Sequence, residues 1–370
     1  MQFIRGEDMY GIFTAAFSYT AALVGAGFAS GQEIISFFVR YGNYSFIGIA
    51  AAAAMFGLFA AIVLSECVQG KITCYDEYLD LEMNKPFKRI TELVTLIYSL
   101  VVFCVMASCC GEMGYALFGA DVRAGTVLLC IMCGAVFLMG TNGALDFNAV
   151  LGVIITVGII TCCFYILTYR EHQTFSNSAR IAASSLSYSG YNLLSAGCVL
   201  VPLSGKLKSR GEAWLAGAVS ACAMLVMMLL MWWILSIYYG KINLGEIPML
   251  TMAMRQNKTL TVIYSILLFA AVLSTAVSNG IGCVNIMAGC IGKKAAGAFV
   301  ILCGLCLGMT GFSNLINTAY RICGYAGITI VAFILIKFFL KKFKMMKNEE
   351  NKRKREIYRA LEKKYRKNKG

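Results

Sequence analysis

Apolar residues fill this chain in long runs separated by short polar stretches, from near residue 10 to near residue 340. Each run is long enough to cross the hydrocarbon core of a bilayer, which takes about 20 helical residues. Ten spans are predicted, at roughly 9–40, 43–68, 91–119, 122–140, 146–168, 179–203, 211–239, 259–290, 293–310 and 314–340. The first, third, seventh and eighth are long, which implies tilt, breaks or extension beyond the bilayer. The runs lack the short alternating segments of a membrane barrel. The fold class expected is an all-α polytopic membrane protein.

The first run is not an ordinary spanning helix. Leu23-Val24-Gly25-Ala26-Gly27-Phe28-Ala29-Ser30-Gly31-Gln32-Glu33 places three glycines within seven residues and a carboxylate just beyond them. In lipid every backbone N–H and C=O must be satisfied, so irregular backbone persists only where it lines a cavity or binds a ligand. A second polar interruption stands in span 6, Ser184-Ser185-Leu186-Ser187-Tyr188-Ser189-Gly190-Tyr191-Asn192, and a second break is expected there. Span 1 opens the first five helices and span 6 the second five, on opposite sides of the membrane. Two five-helix halves of opposite topology, each led by an interrupted helix, form an inverted repeat. The loop at 240–258 contains Ile247-Pro248-Met249-Leu250-Thr251-Met252-Ala253, which predicts a short lid helix with proline near its start.

Composition agrees with this reading. The 370 residues are 59% hydrophobic and 14% charged, against about half and a quarter in soluble domains. One transmembrane domain is expected at 1–340, with repeats of about 9–168 and 179–340, followed by a basic tail at 341–370. Arg5, Glu7 and Asp8 precede a long span, so no cleavable signal is expected. Of the net charge of +14, residues 337–370 supply fifteen Lys/Arg and four Glu, a net of +11. The positive-inside rule then puts both termini in the cytoplasm of a cell-membrane protein. The tail is a solvated helix suited to anionic lipid headgroups, and nucleic acid is not an expected partner. Cys130/Cys133 and Cys303/Cys306 have CxxC spacing but sit inside apolar helices, and the lone histidine, His172, lies in a polar loop. Packing is therefore expected of the cysteines, rather than metal binding. No nucleophile–base pair or Walker motif is present, so no catalysis and no cofactor are expected.

The stretch Val24 to Glu33 resembles the first-helix signature of YkvI-type bacterial membrane proteins, of the amino acid–polyamine–cation superfamily. The resemblance implies a LeuT-like fold and a transport role. Substrate contacts are then expected at Gly25, Ala26, Gly27 and Ser30 in the first break, and at Ser187, Ser189, Gly190, Tyr191 and Asn192 in span 6. Amides freed at the half-helix N-terminus suit a carboxylate, and freed carbonyls suit a cation or ammonium. In LeuT-like sodium transporters one sodium site joins span 1 carbonyls to neighbouring span 8 hydroxyls. The resemblance assigns these to the carbonyls of Ala21 and Val24 and to Ser274 and Thr275, with Ser278 on the same face. Some relatives replace that sodium with a span 5 lysine, and span 5 here, Phe147 to Thr168, holds no lysine or arginine. A sodium ion is thus the expected coupling ion, and a small zwitterion such as a neutral amino acid the expected solute. Proton coupling and a non-transporting amino-acid sensor on the same fold are the alternatives. Glu33 and Arg321 fall at comparable depth in spans 1 and 10, where unpaired charges are costly, and a gate between them is expected. Oligomeric state is not legible.

Overall fold

A computed structural model describes residues 6–139, 144–166 and 180–367; His172 lies outside the described residues. Every regular element described is helical. In chain order they are α1 (Gly6–Leu23), α2 (Ala26–Ala29), α3 (Gln32–Phe37), a 3-10 turn (Val39–Tyr41), α4 (Ser45–Gly70), α5 (Tyr75–Glu82), α6 (Lys85–Phe118), α7 (Val122–Met139) and α8 (Ala144–Ile166). The second half holds α9 (Ile181–Leu203), α10 (Arg210–Tyr238), α11 (Pro248–Gln256), α12 (Lys258–Ile291), α13 (Lys293–Leu307), α14 (Phe312–Leu315), a π-helical turn (Ile316–Tyr320) and α15 (Arg321–Lys367). Among the described residues, five helices are long and apolar enough on their own to cross a membrane: Ser45–Gly70, Lys85–Phe118, Arg210–Tyr238, Lys258–Ala288 and Phe312–Lys341.

Local signals set the helix starts. The Asn84 side chain accepts from the Phe87 amide ahead of Pro86, and Asn257 does the same for Leu260. At the start of α10 the Ser209 hydroxyl accepts from Glu212 N–H, and the Glu212 carboxylate accepts in turn from the Ser209 hydroxyl and from Lys208 N–H. Pro248 opens α11, the expected loop helix, where its missing N–H costs nothing.

The burial pattern is that of a protein solvated by lipid. Ile97, Ile131, Ile266 and Ile322 stand exposed on helix flanks, while Thr20, Ser30, Glu33, Ser187 and Ser189 are buried. Small residues bring the buried faces together. Gly57 of α4 and Gly217 of α10 meet backbone to backbone: a Cβ on either would lie 2.6–2.8 Å from atoms of the other helix. The α9–α15 pair is built the same way around Gly190, Gly324 and Gly327. Such contacts replace the hydrophobic drive that is absent between helices in lipid. α1 packs on α8, α9 and α10, and α2 packs on α12 and α6, so the broken helix runs through the centre. α15 is a single helix of 47 residues that carries the last span on into the basic tail.

Candidate functional site

The first break is present, and it is double. The α1 ladder ends with Val24 N–H donating to Thr20 O at 2.9 Å and resumes with Ala29 N–H donating to Gly25 O at 2.9 Å. The carbonyls of Ala21, Ala22, Leu23 and Val24 fall in that interval. Gly25 is extended, with φ −77° and ψ 175°. The second interruption is at Gly31, whose φ of +83° favours glycine. Here α11 docks: Met249 N–H donates to Ser30 O at 2.9 Å, and a Cβ on Gly31 would meet Met249 Cγ at 2.8 Å. The Tyr264 hydroxyl of α12 donates to Ala29 O. Ser30 braces the bend from within, its Oγ donating to Gly27 O at 2.8 Å and accepting from Gln32 N–H at 3.2 Å. Carbonyls that a straight helix would use internally are thus held by neighbouring elements.

Span 6 is not broken. α9 is helical from Ile181 to Leu203, which corrects the expectation of an interrupted helix at Ser187 to Asn192. The polar side chains there are absorbed by the helix and its neighbours. Ser185 Oγ donates to Ile181 O at 2.9 Å, Asn192 Nδ2 to Tyr188 O at 3.0 Å, and Ser195 Oγ to Asn192 O at 3.2 Å. Such back-bonding leaves the ladder intact. Ser184 Oγ instead donates to Phe37 O at 2.7 Å, and Ser187 Oγ to Arg321 O at 3.3 Å, tying α9 to α3 and α15. Gly190 is a packing glycine, since a Cβ there would lie 2.6 Å from Ile328 N. Ser189 Oγ is buried and makes no hydrogen bond.

The irregularity that the sequence did not announce is in span 10. It starts as α14, passes through the π turn at Ile316–Tyr320, and only then becomes α15. Single π turns inside helices recur at functional sites. This one presents Tyr320 and Arg321 to the broken helix. Tyr320, Tyr98 of α6, and Tyr188 and Tyr191 of α9 form one buried aromatic cluster, with centroids 4.8 Å apart for Tyr191–Tyr320, 5.5 Å for Tyr188–Tyr191, 5.9 Å for Tyr98–Tyr191 and 6.0 Å for Tyr98–Tyr320. Phe37 closes it from α3, 5.6 Å from both α9 tyrosines. Tyr98 and Tyr320 sit in apolar runs with no local motif; aromatic residues in mid-span are the signal that would have found them.

Glu33 reaches into this cluster. It is 3% exposed, and its carboxyl folds back over Gly27, where a Cβ would collide with Oε1. Arg321 is placed elsewhere. Its Nη2 donates to Ser36 O at 2.8 Å and its Nη1 to the Tyr41 hydroxyl at 3.1 Å, and its guanidinium stands 5.3 Å over the Phe37 ring. Among the described residues the ion pairs do not include one between Glu33 and Arg321. Arg321 clasps the C-terminal part of span 1 to span 10 without meeting Glu33. Two more contacts reinforce that clasp: Gln32 Nε2 to Ser313 Oγ at 2.8 Å and Arg40 Nη1 to Asn317 Oδ1 at 3.3 Å.

On α12, Thr275 lies against the first break: a Cβ on Gly25 would meet Thr275 Cγ2 at 3.8 Å and Oγ1 at 4.0 Å. One turn on, Asn279 Nδ2 donates to Thr275 O at 3.0 Å, securing the helix there. Thr275 of α12 therefore stands beside Gly25, where the half-helix after the first interruption begins. The paired cysteines Cys130 and Cys133 are buried in helix contacts.

No family model matches the chain. It is homologous to two Bacillus subtilis (strain 168) proteins. One is the uncharacterized membrane protein YkvI, 26% identical over 337 residues that span 87% of this chain and 94% of that protein. The other is the uncharacterized protein YyaD, 25% identical over 335 residues, 87% and 96% of the two chains. Among solved structures, the chain resembles a substrate-bound, outward-open sodium-coupled sialic acid symporter, with TM-score 0.60, 14% identity, and 92% and 81% of the two chains covered. It also resembles MhsT in complex with L-phenylalanine, with TM-score 0.63, 15% identity, and 89% and 91% covered. The fold is that of the LeuT-like secondary transporters.

Proposed function

We propose that this protein is a secondary transporter that carries a small zwitterionic solute, such as a neutral amino acid, together with sodium, by alternating access. Ten spans in two inverted five-helix halves form its frame, with the first helix of the first half broken and its counterpart in the second half continuous. The observation that carries this reading is the break in the span 1 ladder over Ala21–Val24, with Thr275 standing against Gly25 at its end and the buried Glu33 folded back over Gly27. Carbonyls released from a helix suit a sodium ion, and the half-helix that follows suits an anionic group. The hydroxyls of Ser274 and Thr275 would complete an oxygen set with the Ala21 and Val24 carbonyls, and Ser278 stands one turn away.

Purified protein in liposomes tests the reading. An inward sodium gradient should drive uptake of a labelled amino acid above its equilibrium level. Replacing Ser274 and Thr275 with alanine should raise the sodium concentration for half-maximal uptake about tenfold, as expected when two oxygen ligands are lost at about 0.7 kcal/mol each. Buried Glu33 favours a second reading, proton coupling. Uptake driven by a pH gradient and indifferent to sodium would select it. Binding with no flux under either gradient would make the protein a sensor.

A further inference from the structure

The Glu33 carboxyl is charge-bearing, buried, and short of partners. Its Oε2 makes no hydrogen bond, and among the described residues no lysine or arginine pairs with it. The Tyr191 hydroxyl stands beside it, yet makes no hydrogen bond of normal geometry, and the Tyr188 hydroxyl is likewise buried without a partner. Around these oxygens the walls are ring faces: Tyr98, Tyr188, Tyr191 and Tyr320, all 3% exposed or less. Unpaired buried polar groups are costly, and in a membrane they mark binding sites. The set is selective in its chemistry. One carboxylate with two hydroxyls offers hydrogen-bond acceptors to a donor, and aromatic faces attract a diffuse organic cation. A sodium or divalent ion needs five or more oxygens closing around it, and ring faces supply none. A quaternary ammonium would use the rings but leave the oxygens unfilled.

We infer that Glu33 and its tyrosine cage form the subsite for the protonated primary or secondary amine of the solute. The amine donates to Glu33 Oε2 and the Tyr191 hydroxyl while lying against the rings of Tyr98, Tyr188 and Tyr320. Gly27 is part of the device, because any side chain there would take the place of the carboxyl. The inference deepens the transport reading and rests on it only for treating these helices as a solute site.

The test is equilibrium binding to the full chain in detergent, which needs no flux. Thermal unfolding is followed with the twenty amino acids, their decarboxylated amines, their desamino acids, and choline, since a ligand of the native state raises its stability. Stabilising compounds should all bear an N–H ammonium; the amine should keep the effect of its parent and the desamino acid should lose it. Glu33→Gln should weaken that binding about thirtyfold or more, as when a buried charge pair loses one partner. Glu33→Asp should restore part of it, and Tyr191→Phe, which keeps the ring, should cost about fivefold. Unliganded Glu33→Gln should melt no lower than the parent, which separates lost binding from lost fold. The inference is overturned if desamino acids stabilise as well as amines, if choline alone binds, if nothing bearing an amine binds, or if Glu33→Gln keeps the parent affinity. Amine binding that depends on Glu33 without any flux would leave the subsite standing and remove the transport reading. Flux that ignores Glu33→Gln would do the reverse.

Discussion

Gly25 and Gly27 are two positions apart in one break, yet the structure gives them different tasks. A methyl group at Gly25 would stand 3.8 Å from Thr275 Cγ2, an ordinary contact. At Gly27 it would meet the carboxyl of Glu33, the far end of a flexible side chain that can swing aside. Gly25→Ala should therefore change solute binding little, by about threefold at most, and Gly27→Ala should weaken it about tenfold or more by displacing Glu33. Because the displaced group is mobile, the melting temperature of Gly27→Ala should stay within a few degrees of the parent, short of the full overpacking cost of about 1–3 kcal/mol. Binding and melting curves on the two variants check this. Equal losses in both would mean that the break tolerates no side chain, whatever Glu33 does.

Gly190 makes the contrasting case, where a glycine joins two helices. Its face of α9 lies on Gly324 and Gly327 of α15, and an added Cβ would press on backbone that cannot swing away. Gly190→Ala should cost about 1–3 kcal/mol of stability or more, seen as a lowered melting temperature with solute affinity retained in the fraction that folds. The same residue illustrates what the sequence made legible. The helical, apolar character of the chain, the first break and the loop helix at Pro248 were readable because each has a local cause: apolar length, clustered glycine, proline at a helix start. The polar run of span 6 was misread as a break because serine and asparagine satisfy themselves on an intact helix as readily as they line an opening. Ser185, Asn192 and Ser195 do so. The π turn at Ile316–Tyr320 and the gathering of Tyr98, Tyr188, Tyr191 and Tyr320 have no local cause. They depend on which helices meet, so a single sequence does not display them. Arg321 and Glu33 were each recognisable as costly charges, but depth alone made them a pair; geometry gives Arg321 the Ser36 carbonyl and Tyr41 instead.

Two clasps close the bundle at opposite ends, and their relation is what alternating access would have to change. At one end Arg321, Gln32–Ser313 and Arg40–Asn317 bind the C-terminal part of span 1 to the start of span 10, and Glu246 accepts from Ser313 N–H at 2.7 Å. At the other, Lys337 pairs with buried Glu82 at 3.1 Å and Lys341 with buried Glu66 at 3.6 Å, joining α15 to α5 and α4. Loss of one charge-assisted hydrogen bond costs about 1.5–3 kcal/mol, enough to shift a two-state population roughly tenfold or more. Arg321→Gln should then favour the state open at the Arg321 end, and Glu82→Gln the state open at the other. Ser36→Cys reports the first, because Arg321 holds its backbone carbonyl and the substitution leaves that bond in place. Native Cys67, fully buried beside Glu66, reports the second. With maleimide labelling resolved by mass at each site, Arg321→Gln should raise modification at position 36 about tenfold and lower it at Cys67. Glu82→Gln should do the opposite. Opposite signs are required because opening one end of a rocking bundle closes the other, whereas local loosening carries no such linkage. If each substitution raises labelling only at its own end, the clasps act as independent latches and rigid rocking is not how this protein moves.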